Sequence, residues 1–240
     1  NVTVSQNIPA STSQLLKSTL EEKLSLSASD ASNDHAFIRV QQESDLAKEA
    51  YRLTVTKEGA CIYYSTETGL LWGIQTLRQA LEQANFFTSG NSKYLPMVDI
   101  KDAPQYDWRG FHIDVVRHML TVDYLKKVID CLSFYKINKL HLHLTDDQGW
   151  RIEVKKYPLL TQEGSWRDFD EYDKRCVELS QQDYNYEIDP RFVRNGSQYG
   201  GHYTQEEMKG LVSYALERGI DIVPEIDMPG HFSAAIKVYP

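Results

Sequence analysis

The chain has 240 residues, with 26 Lys+Arg against 34 Asp+Glu and a formal charge of −8. This acidic balance argues against a nucleic-acid backbone as the main partner, because phosphate binding needs a basic patch. An aromatic content of 11% speaks against low-complexity disorder, and no apolar run approaches the ~18–20 residues that cross a bilayer.

Residues 1–104 read as a small α+β domain. Leu16, Leu20 and Leu24 recur at helical spacing. Residues 37–40 form a short apolar strand. Residues 51–56 and 60–65 alternate and are rich in β-branched and aromatic side chains, with Lys57-Glu58-Gly59 between them, which predicts a hairpin and an antiparallel sheet. Leu70, Ile74, Leu77 and Leu81 line one face of a helix that covers one side of that sheet. Residues 85–92 are small and polar and read as a loop. Tyr63, Tyr64 and Trp72 read as packing residues, and this part holds no catalytic constellation.

From 105 to 240 the pattern changes to strands alternating with helices, the signature of parallel βα units. Residues 110–116 are strand-like. Leu125, Val128, Ile129 and Leu132 follow at helical spacing, and residues 139–145 make a second strand. Residues 163–203 are charged and tyrosine-rich with little periodicity, and connections that long are commonly functional loops or disordered. Thr204-Gln205-Glu206-Glu207 is a capping box. Met208, Leu211, Val212, Ala215 and Leu216 form the apolar face of the helix it starts, and Gly219 is placed to end that helix in the left-handed conformation. Residues 220–227 make a third strand. A closed (β/α)8 barrel takes ~250 residues, so this half holds about three of its eight units; composition alone also allows a small open α/β sheet.

Cys61, Cys131 and Cys176 form no CxxC pair, so neither a zinc knuckle nor a redox motif is supported. Cys131 falls within an apolar helical pattern and is expected in the core. Asn1-Val2-Thr3 and Asn195-Gly196-Ser197 fit the glycosylation sequon. The first residues lack basic, apolar and cleavage regions in order, so the start reads as mature, trimmed or cytosolic.

Each of the three strands carries polar residues on one face: His112 and Asp114, then His141, His143 and Thr145, then Asp221, Glu225 and Asp227. Strands covered on both faces should be almost wholly apolar, so three such faces point to a polar barrel interior or a site. The bland alternative is a satisfied buried network. The strand ends are sharper. One runs into Thr145-Asp146-Asp147-Gln148-Gly149-Trp150 and another into Asp227-Met228-Pro229-Gly230-His231. Ligands in parallel α/β folds bind at strand C-termini. A carboxylate beside a Trp suits a sugar, whose hydroxyls and C–H face they would meet.

The stretches Trp108–His118, Leu140–Arg151, Gly164–Arg167, Tyr199–Thr204 and Val223–His231 together resemble glycoside hydrolase family 20, the β-N-acetylhexosaminidases. The first half resembles the small α+β domain that precedes this family's barrel. The resemblance implies an α/β fold, the first part of a (β/α)8 TIM barrel preceded by a small α+β domain. It implies hydrolysis of terminal N-acetylglucosamine or N-acetylgalactosamine by substrate-assisted retaining catalysis. The substrate's acetamido oxygen attacks the anomeric carbon, a glutamic acid protonates the leaving oxygen, and the preceding aspartate orients the acetamido group. No metal or organic cofactor is implied. The partner is an N-acetylhexosamine-terminated glycan, with no nucleic acid and no membrane span, and the location is secreted, periplasmic or lysosomal.

The same resemblance implies residue roles. Arg109 would bind hydroxyls of the terminal sugar. Asp146 and His231 would orient and tune the catalytic acid. His143, Asp147, Glu225 and Asp227 would support them. Strand position alone favours Arg117 and His118 over Arg109. The family's Asp-Glu pair, expected in a Gly-Gly-Asp-Glu-like motif after a fourth strand, is not among these residues, so the 240-residue chain by itself is expected to be inactive. Two other readings stand beside this one. His141-x-His143 resembles the ligand pair of a metal-dependent amidohydrolase barrel. A non-catalytic sugar-binding module would need no general acid.

Overall fold

The computed structural model describes residues 2–83, 88–89, 92–93 and 95–240. The chain forms two compact units. One runs to Arg109 and includes Asp130–Asn138 and Glu217–Ile220; the other takes Gly110–Ile129, Lys139–Leu216 and Asp221–Pro240.

The first unit is built on a six-stranded sheet, in chain order β1 (Val2–Ser5), β2 (Ala28–Ala31), β3 (Ile38–Gln42), β4 (Tyr51–Thr56), β5 (Gly59–Tyr64) and, after the short β6 (Thr88–Ser89) and β7 (Ser92–Lys93) hairpin, β8 (Val98–Asp102). The spatial order is β2-β1-β3-β5-β4-β8. The expected hairpin is present: β4 and β5 are antiparallel with Thr56 opposite Gly59, and β8 adds antiparallel to β4. The pairings of β1 with β2, β1 with β3 and β3 with β5 are parallel, so the sheet is mixed. The remainder of the loop expected over 85–92, and the sequon at Asn1, lie outside the described residues.

Helices α1 (Ala10–Ser18) and α2 (Glu67–Gln83) supply the apolar cover, and α1 runs on as a π-helical turn over Thr19–Lys23. Leu16, Leu20, Leu70, Ile74 and Leu77 pack with Val4, Ile38, Leu53 and Ile62 into one core. Trp72 is 1% exposed, in keeping with a packing role. The segments 130–138 and 217–220 belong to this unit because their polar groups close on α2. Gln75 donates to Ser133 Oγ at 2.8 Å, and Ser133 donates to the Arg218 carbonyl at 2.9 Å. Gly219 has φ 71°, the left-handed helix end expected, and a Cβ there would stand 2.8 Å from the Trp72 ring.

The second unit contains three parallel strands, β9 (Gly110–Asp114), β10 (Lys139–His143) and β16 (Asp221–Glu225), in the order β16-β10-β9. Leu140, Leu142 and Leu144 are fully buried, each worth roughly 1.5–3 kcal/mol relative to exposure. Pro224 lies in β16, which pairs with β10 alone among the described residues. Helices α3 (Val122–Phe134) and α6 (Gln205–Leu216) are the expected crossovers. Thr204 and Glu207 close the capping box, with each side chain accepting from the other's backbone N–H.

Two expectations about these helices do not hold. Cys131 is exposed, because it precedes Leu132 by one residue and so points about 100° away from the buried stripe of Leu125, Ile129 and Leu132. On α6 only Met208, Leu211 and Ala215 are buried, while Val212 and Leu216 are exposed.

The stretch 163–203 is ordered. After the hairpin β11 (Thr145–Asp146) and β12 (Gly149–Trp150) and the turn α4 (Leu159–Gln162) come β13 (Trp166–Asp168), α5 (Glu171–Ser180), β14 (Val193–Arg194) and β15 (Gln198–Gly200). The three strands form a small antiparallel sheet with β15 in the middle. Strands of two or three residues are too short to show a period of two, so the pattern was invisible in sequence. The short helix α7 (Ser233–Ile236) follows β16.

Candidate active site

The register of the three parallel strands sets Asp114, His143 and Glu225 side by side at the strand C-termini. Beyond β10 the chain turns back as the β11–β12 hairpin, which brings Asp146 over the strand ends. Asp146 is 1% exposed, and its carboxylate is the hub of the cluster. Oδ2 accepts from His143 Nε2 at 2.7 Å and pairs with Arg117 at 2.5 Å. Oδ1 accepts from His231 Nδ1 at 3.0 Å and from the Asp147 backbone N–H at 2.6 Å. A buried carboxylate is tolerated only with this degree of pairing. Burial pushes its pKa up, but these donors and the Arg117 charge outweigh burial and hold it below the usual carboxylate value.

The neighbours are fixed in turn. His143 Nδ1 lies 3.1 Å from Glu225 Oε2 and 4.0 Å from Asp227 Oδ2. Burial lowers the His143 pKa, yet the hydrogen bond to Asp146 and the negative charge of Glu225 overcome it and the net shift is upward. The Asp227 backbone N–H donates to Thr145 Oγ1 at 3.0 Å, and the Ser233 N–H donates to Asp147 Oδ1 at 3.1 Å. His231 has φ 54°, a sparsely populated conformation for a residue with a Cβ, of the kind held in place at functional sites by surrounding structure.

Arg117 follows β9 directly. It donates to Asp114 Oδ2 at 2.7 Å as well as pairing with Asp146, and its side chain is 43% exposed. The exposed part of its five-donor fork can meet hydroxyls. Arg109 stands at the other end of β9. Its guanidinium donates to Glu49 at 2.6 Å, to the Tyr106 carbonyl at 2.7 Å and to the Lys136 carbonyl at 2.8 Å, all within the first unit. The structure therefore brings Asp146, His143, His231, Glu225, Asp227 and Asp147 together, does not bring Arg109 to them, and adds Arg117.

Two more residues differ from expectation. Trp150 is 7% exposed, packed with Leu160 and Ala235, and its Nε1 donates to the Ile152 carbonyl at 2.7 Å, so its indole face is not open to a sugar. Arg151, given no role from sequence, is fully buried. Its guanidinium donates to the carbonyls of Val116 at 2.7 Å, Ser165 at 2.5 Å and Gly201 at 3.0 Å. Burial lowers its pKa to about 10. Gly149 leaves room for it, since a Cβ there would stand 2.5 Å from the guanidinium carbon. The Asp170-Glu171 dipeptide is spent on the start of α5, where Asp170 and Asp173 form a capping box.

The sequence model of glycosyl hydrolase family 20, catalytic domain, matches residues 106–240, and that of family 20, domain 2, matches residues 1–103. A β-hexosaminidase of Porphyromonas gingivalis is 40% identical over 88% of this chain and 24% of its own length. One of Akkermansia muciniphila is 40% identical over 83% of this chain and 35% of its own. The crystal structure of a family 20 exo-β-N-acetylglucosaminidase from Vibrio harveyi with N-acetylglucosamine superposes with TM-score 0.79 at 33% identity, covering 100% of this chain and 34% of that one. The chain thus spans about a quarter to a third of the length of these relatives. Among the described residues no helix is long and apolar enough to cross a membrane. These matches decide against the amidohydrolase reading, and with both family models laid end to end along it, this chain belongs to glycoside hydrolase family 20.

Proposed function

We propose that this chain is part of a β-N-acetylhexosaminidase that removes terminal N-acetylglucosamine or N-acetylgalactosamine from glycans by substrate-assisted retaining catalysis. The observation that carries the reading is the buried Asp146 carboxylate, held at the C-terminal ends of parallel strands by His143, His231 and Arg117. In this reading Arg117 donates to sugar hydroxyls in place of Arg109. Asp146 and His231 form a charged relay whose exposed end is His231, placed to orient and tune the general acid. His143, with Glu225 and Asp227 behind it, fixes Asp146 in position, and Asp147 holds the start of α7. The acid and the aspartate before it belong to residues beyond these 240. A secreted, periplasmic or lysosomal location suits an enzyme acting on such glycans.

The expected outcome is that the 240-residue chain does not hydrolyse p-nitrophenyl N-acetylglucosaminide. Turnover comparable to an intact enzyme would overturn the assignment of the general acid to other residues. Reading the gene past Pro240 tests the same point without protein. A Gly-Asp-Glu motif in the continuing frame supports the enzyme, whereas a stop codon at that point supports a non-catalytic sugar-binding module.

A further inference from the structure

The sheet face that carries His143 and Glu225 holds two more imidazoles one register step nearer the strand starts. His112 and His141 are opposite one another on β9 and β10, and their rings meet edge to face with centroids 4.8 Å apart. Glu225 Oε2 is where the rings converge. It lies 2.9 Å from His141 Nε2, 3.1 Å from His143 Nδ1 and 3.5 Å from His112 Nε2. The oxygen is shielded from solvent, yet none of these approaches is aligned as a hydrogen bond. A shielded carboxylate oxygen ringed by nitrogen donors and lacking an aligned partner is suited to a cation.

We propose that His112, His143 and Glu225 form a binding site for a divalent transition-metal ion of zinc-like softness. The three committed ligand atoms lie within 4.8 Å of one another. Bonds of ~2.0–2.1 Å in a tetrahedral site set ligand atoms about 3.3 Å apart, so the cage closes by at most about 1.5 Å. The donor set of imidazole and carboxylate, with no thiolate, suits Zn2+ over softer ions.

A second feature supports the site independently. His143 turns Nδ1 to this cage while its Nε2 meets the Asp146 carboxylate at 2.7 Å. A ligand imidazole whose other nitrogen donates to a carboxylate is the arrangement that fixes ring orientation and raises ligand basicity at metal centres. The ion takes no part in the proposed hydrolysis. By holding His143 it would act as an effector on the Asp146 cluster.

The test is titration of the chelator-treated 240-residue chain with Zn2+ by calorimetry and with Co2+ by visible absorption. Neither readout depends on glycosidase activity, so failure here is separate from failure of the proposed function. The expected result is one equivalent bound, an intense tetrahedral Co2+ band, and a rise in Tm with added Zn2+. His112→Ala is expected to weaken binding by about tenfold or more, and His231→Ala to leave it unchanged. Acidification through the imidazole range releases the ion. Circular dichroism confirms that the variants fold. Absence of binding overturns the proposal. So does binding that His231→Ala weakens as much as His112→Ala, because the ion would then sit on Asp146, Asp147 and His231.

Discussion

At the scale of single residues, Asp146 is the carboxylate on which the cluster turns, and its partners set a pH window. Its pKa is lowered from 3.8, so its contribution to stability is present above that value and is lost as pH falls through the depressed one. His143 is raised from 6.5, so its contribution is full below that value and is lost as pH rises through the elevated one. The expected outcome is that the cluster stabilises the fold most between these two ordinary values. Urea denaturation across pH should show stability declining on the alkaline side of the window, and His143→Gln should remove that decline. The two arginines give a second prediction. In the full-length enzyme, Arg117→Met should lower kcat/KM about 10- to 100-fold, the worth of a charged hydrogen bond. Arg109→Met should lower stability through its lost bond to Glu49, with kcat/KM of the folded enzyme little changed. Equal losses of kcat/KM would return the hydroxyl-binding role to Arg109.

At the scale of elements, the site is held by connections more than by strands. Arg151 binds carbonyls from the segment after β9, from Ser165 before β13 and from Gly201 after β15. Removing its guanidinium leaves buried carbonyls without donors, each costing about 1–3 kcal/mol. Arg151→Met is therefore expected to destabilise the chain by about 3–5 kcal/mol in urea denaturation; a loss below about 1 kcal/mol would mean that water or rearrangement replaces those bonds. The helices were legible because their apolar period runs over several turns, as in Leu70, Ile74, Leu77 and Leu81. The small β13-β15-β14 sheet was not, because its strands end before a pattern can repeat.

At the scale of the whole molecule, β9 and β16 are the outer strands of the three-stranded parallel sheet. Unpaired strand edges recruit other strands, and Pro224 protects only β16 by removing a backbone donor. The 240-residue chain is expected to associate as its concentration rises, which sedimentation velocity measures directly. A monomer at high concentration with one cooperative unfolding transition would contradict this.

The amino-acid sequence by itself determined the alternation of strands and helices after residue 105 and the polar residues at strand ends. These follow from short-range periodicity and from the side-chain alternation of strands. Asp146, His143 and His231 were legible from their places at or beyond strand ends and from the family resemblance, although His231 is distant from the others along the chain. Tertiary structure alone decided which side chains share one carboxylate. Strand register set Arg117 beside Asp146, hairpin packing turned Trp150 inward, and the convergence of carbonyls from separate segments gave Arg151 its place. Each of these depends on direction and distance across chain-remote segments, and neither is encoded in the local order of residues.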